Sequence, residues 1–241
     1  MPRFILIMVL FLATACAPAG KSLRDPVAGS SSDPEVETGG PSVPGGSVYR
    51  SEPLLWEKAR REGLYWSAMA YQIIGAEDVA AKLLPGSNDI HEFCPRYAAL
   101  DEKRRANFWA YLISAMAKYE SGFNPTSRYT ETTMGVDPVT GKQVVSEGLL
   151  QLSYQDVQGY TYCKFDWLKD KLLGLSDPKR TILDPYINLD CGIRILAGQV
   201  AKKGAIGLKS GVYWAVLKVG GKYSKLPEIT RLTQALPFCK N

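Results

Sequence analysis

Ala115-Met-Ala-Lys-Tyr-Glu-Ser-Gly-Phe-Asn-Pro125 is the stretch whose reading decides the fold. Upstream of it, Asp101 stands where a helix N-cap belongs, and the body that follows (Phe108, Trp109, Leu112, Ile113, Met116) is apolar on nearly every face. A helix of that kind is buried rather than amphipathic. Glu120 falls in its last turn, in phase with Ile113, Met116 and Ala117, and Gly122 and Pro125 stop the helix. A carboxyl group at the end of a buried helix loses water, which raises its pKa and holds its proton near neutral pH. That property suits a general acid. A solvated glutamate paired with an arginine is the plainer reading of the same residue.

A second segment, Ser146-Glu-Gly-Leu-Leu-Gln-Leu-Ser153, shifts the balance toward chemistry. Glu120-Ser121-Gly-Phe-Asn-Pro125 and Gly148-Leu149-Leu-Gln151-Leu152 resemble the first two motifs of the soluble lytic transglycosylase domain, a branch of the lysozyme-like superfamily. A third, Leu183-Asp-Pro-Tyr-Ile-Asn-Leu-Asp-Cys-Gly-Ile-Arg-Ile-Leu196, is similar to that family's Asp-Pro…Asn…Gly…Leu helix. Each piece alone is weak, and the three in order are fairly specific. The resemblance spans roughly residues 105–218 and departs at one place. Where the family has Ala-Tyr-Asn-Ala-Gly, Gly211-Val-Tyr-Trp-Ala-Val-Leu217 keeps Tyr213 but carries Trp214 in place of Asn.

The resemblance implies a mainly α (α+β) fold, a lysozyme-like helical domain with a small β-hairpin beside the catalytic helix. It also implies cleavage of the β-1,4 bond between N-acetylmuramic acid and N-acetylglucosamine in peptidoglycan. Glu120 is then the acid. Ser121, Glu131, Gly148, Leu149, Gln151 and Tyr213 are the residues expected to line the substrate. Gly148 lets backbone approach a sugar, Gln151 offers donor and acceptor to an N-acetyl group, and Tyr213 is expected to steady Glu120. Ser121 reads better as a helix-end hydroxyl than as a nucleophile, since no base accompanies it.

The product is left open. In the family's usual second step one carboxylate, now a base, activates the muramic C6 hydroxyl and closes a 1,6-anhydro ring. Hydrolysis by inversion instead needs a second carboxylate, roughly 6.5–9.5 Å away, to activate water. Glu147 and Glu131 are candidates for that place, with Glu147 the nearer to the Gly148 motif. As a bland alternative, Glu147 is a dipole partner for a following helix. Anhydro products are the expectation, lysozyme-type hydrolysis the alternative, and a non-catalytic glycan-binding envelope lipoprotein a third reading.

Residues 1–15 read as a signal peptide, with a basic start and an apolar run from Phe4 to Leu12 that is too short to span a bilayer. Ala13-Thr-Ala15 suits plain secretion, while small residues leading into Cys16 resemble a lipoprotein signal. Five cysteines make an odd set. Lipidating Cys16 leaves Cys94, Cys163, Cys191 and Cys239, an even set for an oxidising compartment. Of the three possible connectivities, Cys163–Cys191 with Cys94–Cys239 is expected, since the second pair ties the C-terminus to the start of the domain. The expected location is the bacterial cell envelope, in the periplasm or on the outer membrane as a lipoprotein, or secreted.

Residues 16–47 are rich in Gly, Ser and Pro, with almost no large apolar side chains, and make a flexible tether. Residues 48–241 form one domain with a substantial core. Its helices are expected from a Ser51 cap to Arg61, over 65–74 and 78–84, in the Glu120 segment, from an Asp184 cap with Pro185 at N1 to about Lys203, and over 210–219. Residues 88–96 read as a loop, and 128–134 with 142–146 as a hairpin that brings Glu131, Asp137 and Glu147 toward the cleft. The tail to Asn241 reads as irregular or short-helical.

His91 is the single histidine, which leaves no Cys-His metal cluster and makes a surface side chain the natural reading. No cofactor or metal is expected. The formal net charge of +5 is mild, and no Lys/Arg cluster dense enough for nucleic acid occurs. The expected partners are anionic peptidoglycan strands and, through the lipid, a membrane, for a chain acting as a monomer.

Overall fold

The computed structural model describes residues 51–240, so the signal, the tether and Cys16 lie outside the described residues. Helices α1 (Leu55–Ala59), α2 (Gly63–Ile74), α3 (Glu77–Leu83) and α4 (Ile90–Phe93) lead into α5 (Glu102–Glu120). Strands β1 (Arg128–Thr130) and β2 (Val145–Glu147) follow, then short helices α6 (Asp156–Gly159) and α7 (Trp167–Asp170). Helix α8 (Pro185–Lys203) and helix α9 (Leu226–Gln234) complete a mainly helical fold with a small antiparallel β element.

The two long helices are the frame. Asp101 caps α5 as expected, its Oδ1 accepting from the Arg104 amide at 2.8 Å. Phe108, Trp109, Leu112, Ile113 and Met116 are all buried. Asp184 caps α8 by accepting from the Ile187 amide at 3.0 Å, Pro185 opens the helix, and Gly204 ends it at φ 71°. Helices α1, α2 and α9 pack on α5, while α2 and α3 pack on α8. The core therefore lies between two helices whose starts and stops were both written in the sequence.

Several boundaries differ. Ser51 does not cap α1, which begins at Leu55 with Leu54 as its unassisted cap. Within the expected loop 88–96, residues 90–93 wind into α4, and its Phe93 is buried in the core. Residues 210–219 hold a single 3-10 turn, Ala215–Leu217, because a bridge between Leu208 and Lys218 extends the chain on both sides of it. The tail carries α9, an amphipathic helix docked on α5 and α4. His91 is exposed and contacts the Pro95 carbonyl, consistent with a surface role.

Both disulfides form as expected, Cys94–Cys239 and Cys163–Cys191, with sequence separations of 145 and 28. Such bonds belong to an oxidising compartment. Constraining a loop as long as the first removes on the order of 4–5 kcal/mol of chain entropy from the unfolded state in the loop-closure model. No helix among the described residues is long and apolar enough to cross a membrane.

Candidate active site

Helix α5 delivers Glu120 as its last residue. The chain then turns through two left-handed residues, Gly122 (φ 59°) and Phe123 (φ 62°). Phe123 pays for this conformation by burying its ring in the core. Ser121 donates its hydroxyl to the Ala117 carbonyl at 3.1 Å, the helix-end role expected of it.

No hydrogen bond or ion pair among the described residues reaches the Glu120 carboxyl. Burial pushes its pKa up from the ordinary 4.5 to about 8, and the nearby Glu131 charge adds to the rise. The helix C-terminus works in the same direction, since its carbonyls disfavour an anion.

The hairpin supplies Glu131. Strands β1 and β2 pair antiparallel in the register Arg128 with Glu147, Tyr129 with Ser146 and Thr130 with Val145. Glu131 follows β1, with its amide donating to the Val144 carbonyl at 2.9 Å. Ser146 on β2 donates to Glu131 Oε1 at 2.6 Å, which steadies the carboxylate whose charge acts on Glu120.

Glu147 is not a second carboxylate open to water, contrary to the sequence expectation. It is only 1% exposed. Its Oε2 accepts from Arg128 Nε at 2.7 Å and from Arg180 Nη1, and its Oε1 accepts from Arg180 Nη2 at 3.5 Å. It does not start a helix either. Its amide and carbonyl bridge to Leu152, closing a four-residue loop over Gly148-Leu149-Leu150-Gln151.

That loop corrects further expectations. Leu149 is fully buried, so its side chain belongs to the core rather than the substrate surface. Gly148, at φ 82°, makes room for protein rather than for a sugar. A Cβ there would stand 2.3 Å from Asn188 Nδ2. Asn188, on α8, donates to the carbonyls of Glu147 (3.1 Å) and Ile182 (3.0 Å) and accepts from the Leu150 amide (2.9 Å). Gln151 adopts φ 50°, and its Nε2 donates to the Gly148 carbonyl at 2.8 Å. Its Oε1 carries no bond among the described residues, so one acceptor is left for a ligand.

Tyr213 lies within electrostatic reach of Glu120, yet its hydroxyl donates to Asp156 Oδ2 at 2.6 Å rather than to Glu120. Burial first, and then the Asp156 charge, hold the phenol proton far more tightly than usual. Asp156 itself is pushed upward by burial, against the hydrogen bonds it accepts from Tyr213 and Ser153. Sequence reasoning passed over Asp156. Its signal was Ser153-x-x-Asp156, a capping-box pattern in which the Ser153 amide donates to Asp156 Oδ2 at 2.8 Å.

Trp214, the departure from the family pattern, is buried and donates its indole N–H to the Leu150 carbonyl at 2.8 Å. It therefore braces the motif loop. Asp137 is also buried and serves its own loop, accepting from the amides of Val139, Thr140 and Gln155. No group of three or more metal-ligating side chains occurs among the described residues.

No protein-family model and no curated protein matches the chain. Solved structures of a Bdellovibrio protein, Bd0314 DslA, do. Its wild-type form 2 is 32% identical, with TM-score 0.65, across 80% of this chain and 100% of that one. Two variants of it, each with one glutamate replaced by glutamine at positions eleven residues apart, match over the same shares with TM-scores of 0.66 and 0.64 and identities of 32% and 33%. An identity above 30% over the whole of the solved chain, on a shared fold, means that this protein belongs to the DslA family.

Proposed function

We propose that the protein cleaves the β-1,4 bond between N-acetylmuramic acid and N-acetylglucosamine in peptidoglycan, with Glu120 as general acid. The observation that carries this reading is the Glu120 carboxyl, which is desolvated, bears no hydrogen bond among the described residues and has its pKa pushed up to about 8. At neutral pH such a group still holds a proton to give to a glycosidic oxygen. The three motifs lie in the order of the transglycosylase domain, and this supports the substrate class.

Glu131 supports water as the acceptor. Its negative charge sits near enough to raise the pKa of Glu120, as expected of two carboxylates flanking one bond. Glu120 and Glu131 are eleven residues apart, the same spacing as the two glutamates replaced in the DslA variants. Glutamine in place of glutamate keeps the shape and removes the acid or base. On this reading Glu120 protonates the leaving oxygen, the anomeric centre becomes oxocarbenium-like, and Glu131 takes a proton from the incoming water.

Mass spectrometry of a peptidoglycan digest tests the reading. Reducing-end muropeptides are expected, and Glu131→Gln should slow their release about a hundredfold. The motif resemblance favours a second outcome, products ending in 1,6-anhydromuramic acid at a rate little changed by Glu131→Gln. That result leaves Glu120 as acid and removes Glu131 from the mechanism.

The same reading locates the protein in the bacterial envelope, tethered by a lipid on Cys16. The intact mass of the mature protein should carry that lipid and rise by four hydrogens on reduction of the two disulfides. A mature chain starting unmodified at Cys16 means plain secretion.

A further inference from the structure

Beside Tyr213 runs a groove of about 490 Å³ between the end of α8 and the segment 211–213. It is large enough for a short peptide. Its floor is kept open by Gly198 and Gly211, the latter at φ 68°. Tyr160 forms one wall, its ring meeting that of Tyr213 edge-on at 6.3 Å.

Gln199 offers a ligand little, since its Nε2 donates to the Ile206 carbonyl and its Oε1 accepts from the Tyr213 amide. Lys202 and Lys203 are the charged groups of the lining, and both have donors to spare. Both are exposed, neither has an ion-pair partner among the described residues, and no acidic residue lines the groove. Lys203 Nζ lies 3.8 Å from where a Cβ on Gly211 would stand, so its charge reaches across the groove floor.

Lysines in the last turn of a helix also complement its dipole, which is their ordinary role. The dipole accounts for their sign. It does not account for a groove with two cations, no anion and an aromatic side, lined by the Tyr213 that lies within electrostatic reach of Glu120.

We infer that this groove binds the peptide hanging from the muramic acid, with Lys202 and Lys203 pairing its free carboxylates. The inference rests on peptidoglycan being the substrate. Sugars in the glycan strand are neutral, and the lactyl carboxyl of muramic acid is consumed in the amide bond to the peptide. The anionic groups left for two ammonium ions are those of the peptide.

Binding to purified glycan strands tests this without any need for turnover. The full mature chain carrying Glu120→Gln is titrated against strands bearing their peptides and against the same strands with every free peptide carboxylate converted to its amide, which leaves the lactyl–peptide bond intact. Adding Lys202→Glu and Lys203→Glu together should weaken binding to peptide-bearing strands roughly tenfold, the scale of two lost surface ion pairs plus repulsion. Affinity for the amidated strands should stay the same. Equal weakening on both strands, no weakening on either, or no binding to either strand overturns the inference. Failure of the wild type to cleave peptidoglycan, with lysine-dependent binding intact, would instead sink the catalytic reading and leave the groove standing.

Discussion

Glu120→Gln is expected to abolish cleavage while leaving the fold intact. The amide matches the carboxyl in shape, and no hydrogen bond among the described residues depends on the acid. Loss of a general acid costs on the order of 10²–10⁴ in rate, and turnover within tenfold of wild type would refute the assignment. The stability profile supplies a second readout. Glu120 titrates near 4.5 when unfolded and near 8 when folded, so the folded state holds the extra proton between those values. The contribution of Glu120 to stability is therefore fully present below about pH 4.5 and is lost as pH rises through about 8, by a few kcal/mol in all. Glutamine cannot titrate, and the variant should lack this decline. Denaturant melts of both proteins at pH 5 and pH 9 would show it, and parallel pH profiles would mean that Glu120 is not desolvated as described. For the wild type, activity should fall on the alkaline side as Glu120 loses its proton near pH 8.

Arg180→Met is the second large effect, and it acts on stability. Arg180 is 1% exposed and holds three partners, the Glu147 carboxylate, the Leu175 carbonyl (2.7 Å) and the Tyr154 hydroxyl (3.0 Å). Methionine fills much of the space but supplies none of the donors. Among the described side chains Glu147 then keeps only the partly exposed Arg128 as an ion-pair partner. Breaking a buried pair from one side costs about 3–5 kcal/mol, which for a domain of this size lowers Tm by roughly 6–20 °C. Neutralising Glu147 as well, in Glu147→Gln with Arg180→Met, should recover part of the loss, because no uncompensated charge is left. A loss below about 1 kcal/mol in the single variant would contradict the buried-pair account. Since Glu147 serves the fold, Glu147→Gln alone should leave the type of product unchanged.

How far the sequence could be read depended on whether a signal was local. Asp101, Asp184, Pro185 and Gly204 mark helix ends through bonds to residues three or four places away, and the helices start and stop where those residues say. Glu120 was legible because the body of its helix is apolar on nearly every face. Glu147 was misread because its partner Arg180 lies 33 residues on, and nothing in the intervening chain announces a buried guanidinium. Glu131 stood in view but without rank, since its weight comes from its charge acting on Glu120, a proximity that only the folded chain creates. Residues 210–219 were expected to be helical, yet Val212, Tyr213, Trp214, Val216 and Val219 favour extended backbone, and Leu208 pairs with Lys218. Asp156 was missed for a different reason. Its capping-box spacing to Ser153 is local, but its bond to Tyr213 spans 57 residues, and only that bond ties it to the site.

Gly148 and Asn188 form an interlock whose consequence reaches past this one chain. The amide of Asn188 fills the volume that any side chain at 148 would claim, and through it α8 grips the loop ahead of Gln151. Neither position is free to drift alone. A larger residue at 148 evicts the asparagine, and a shorter one at 188 leaves the loop without its anchor. Among descendants of a common ancestor the two should change together or not at all, so their pairing across aligned relatives is a record of this contact that can be read without any structure.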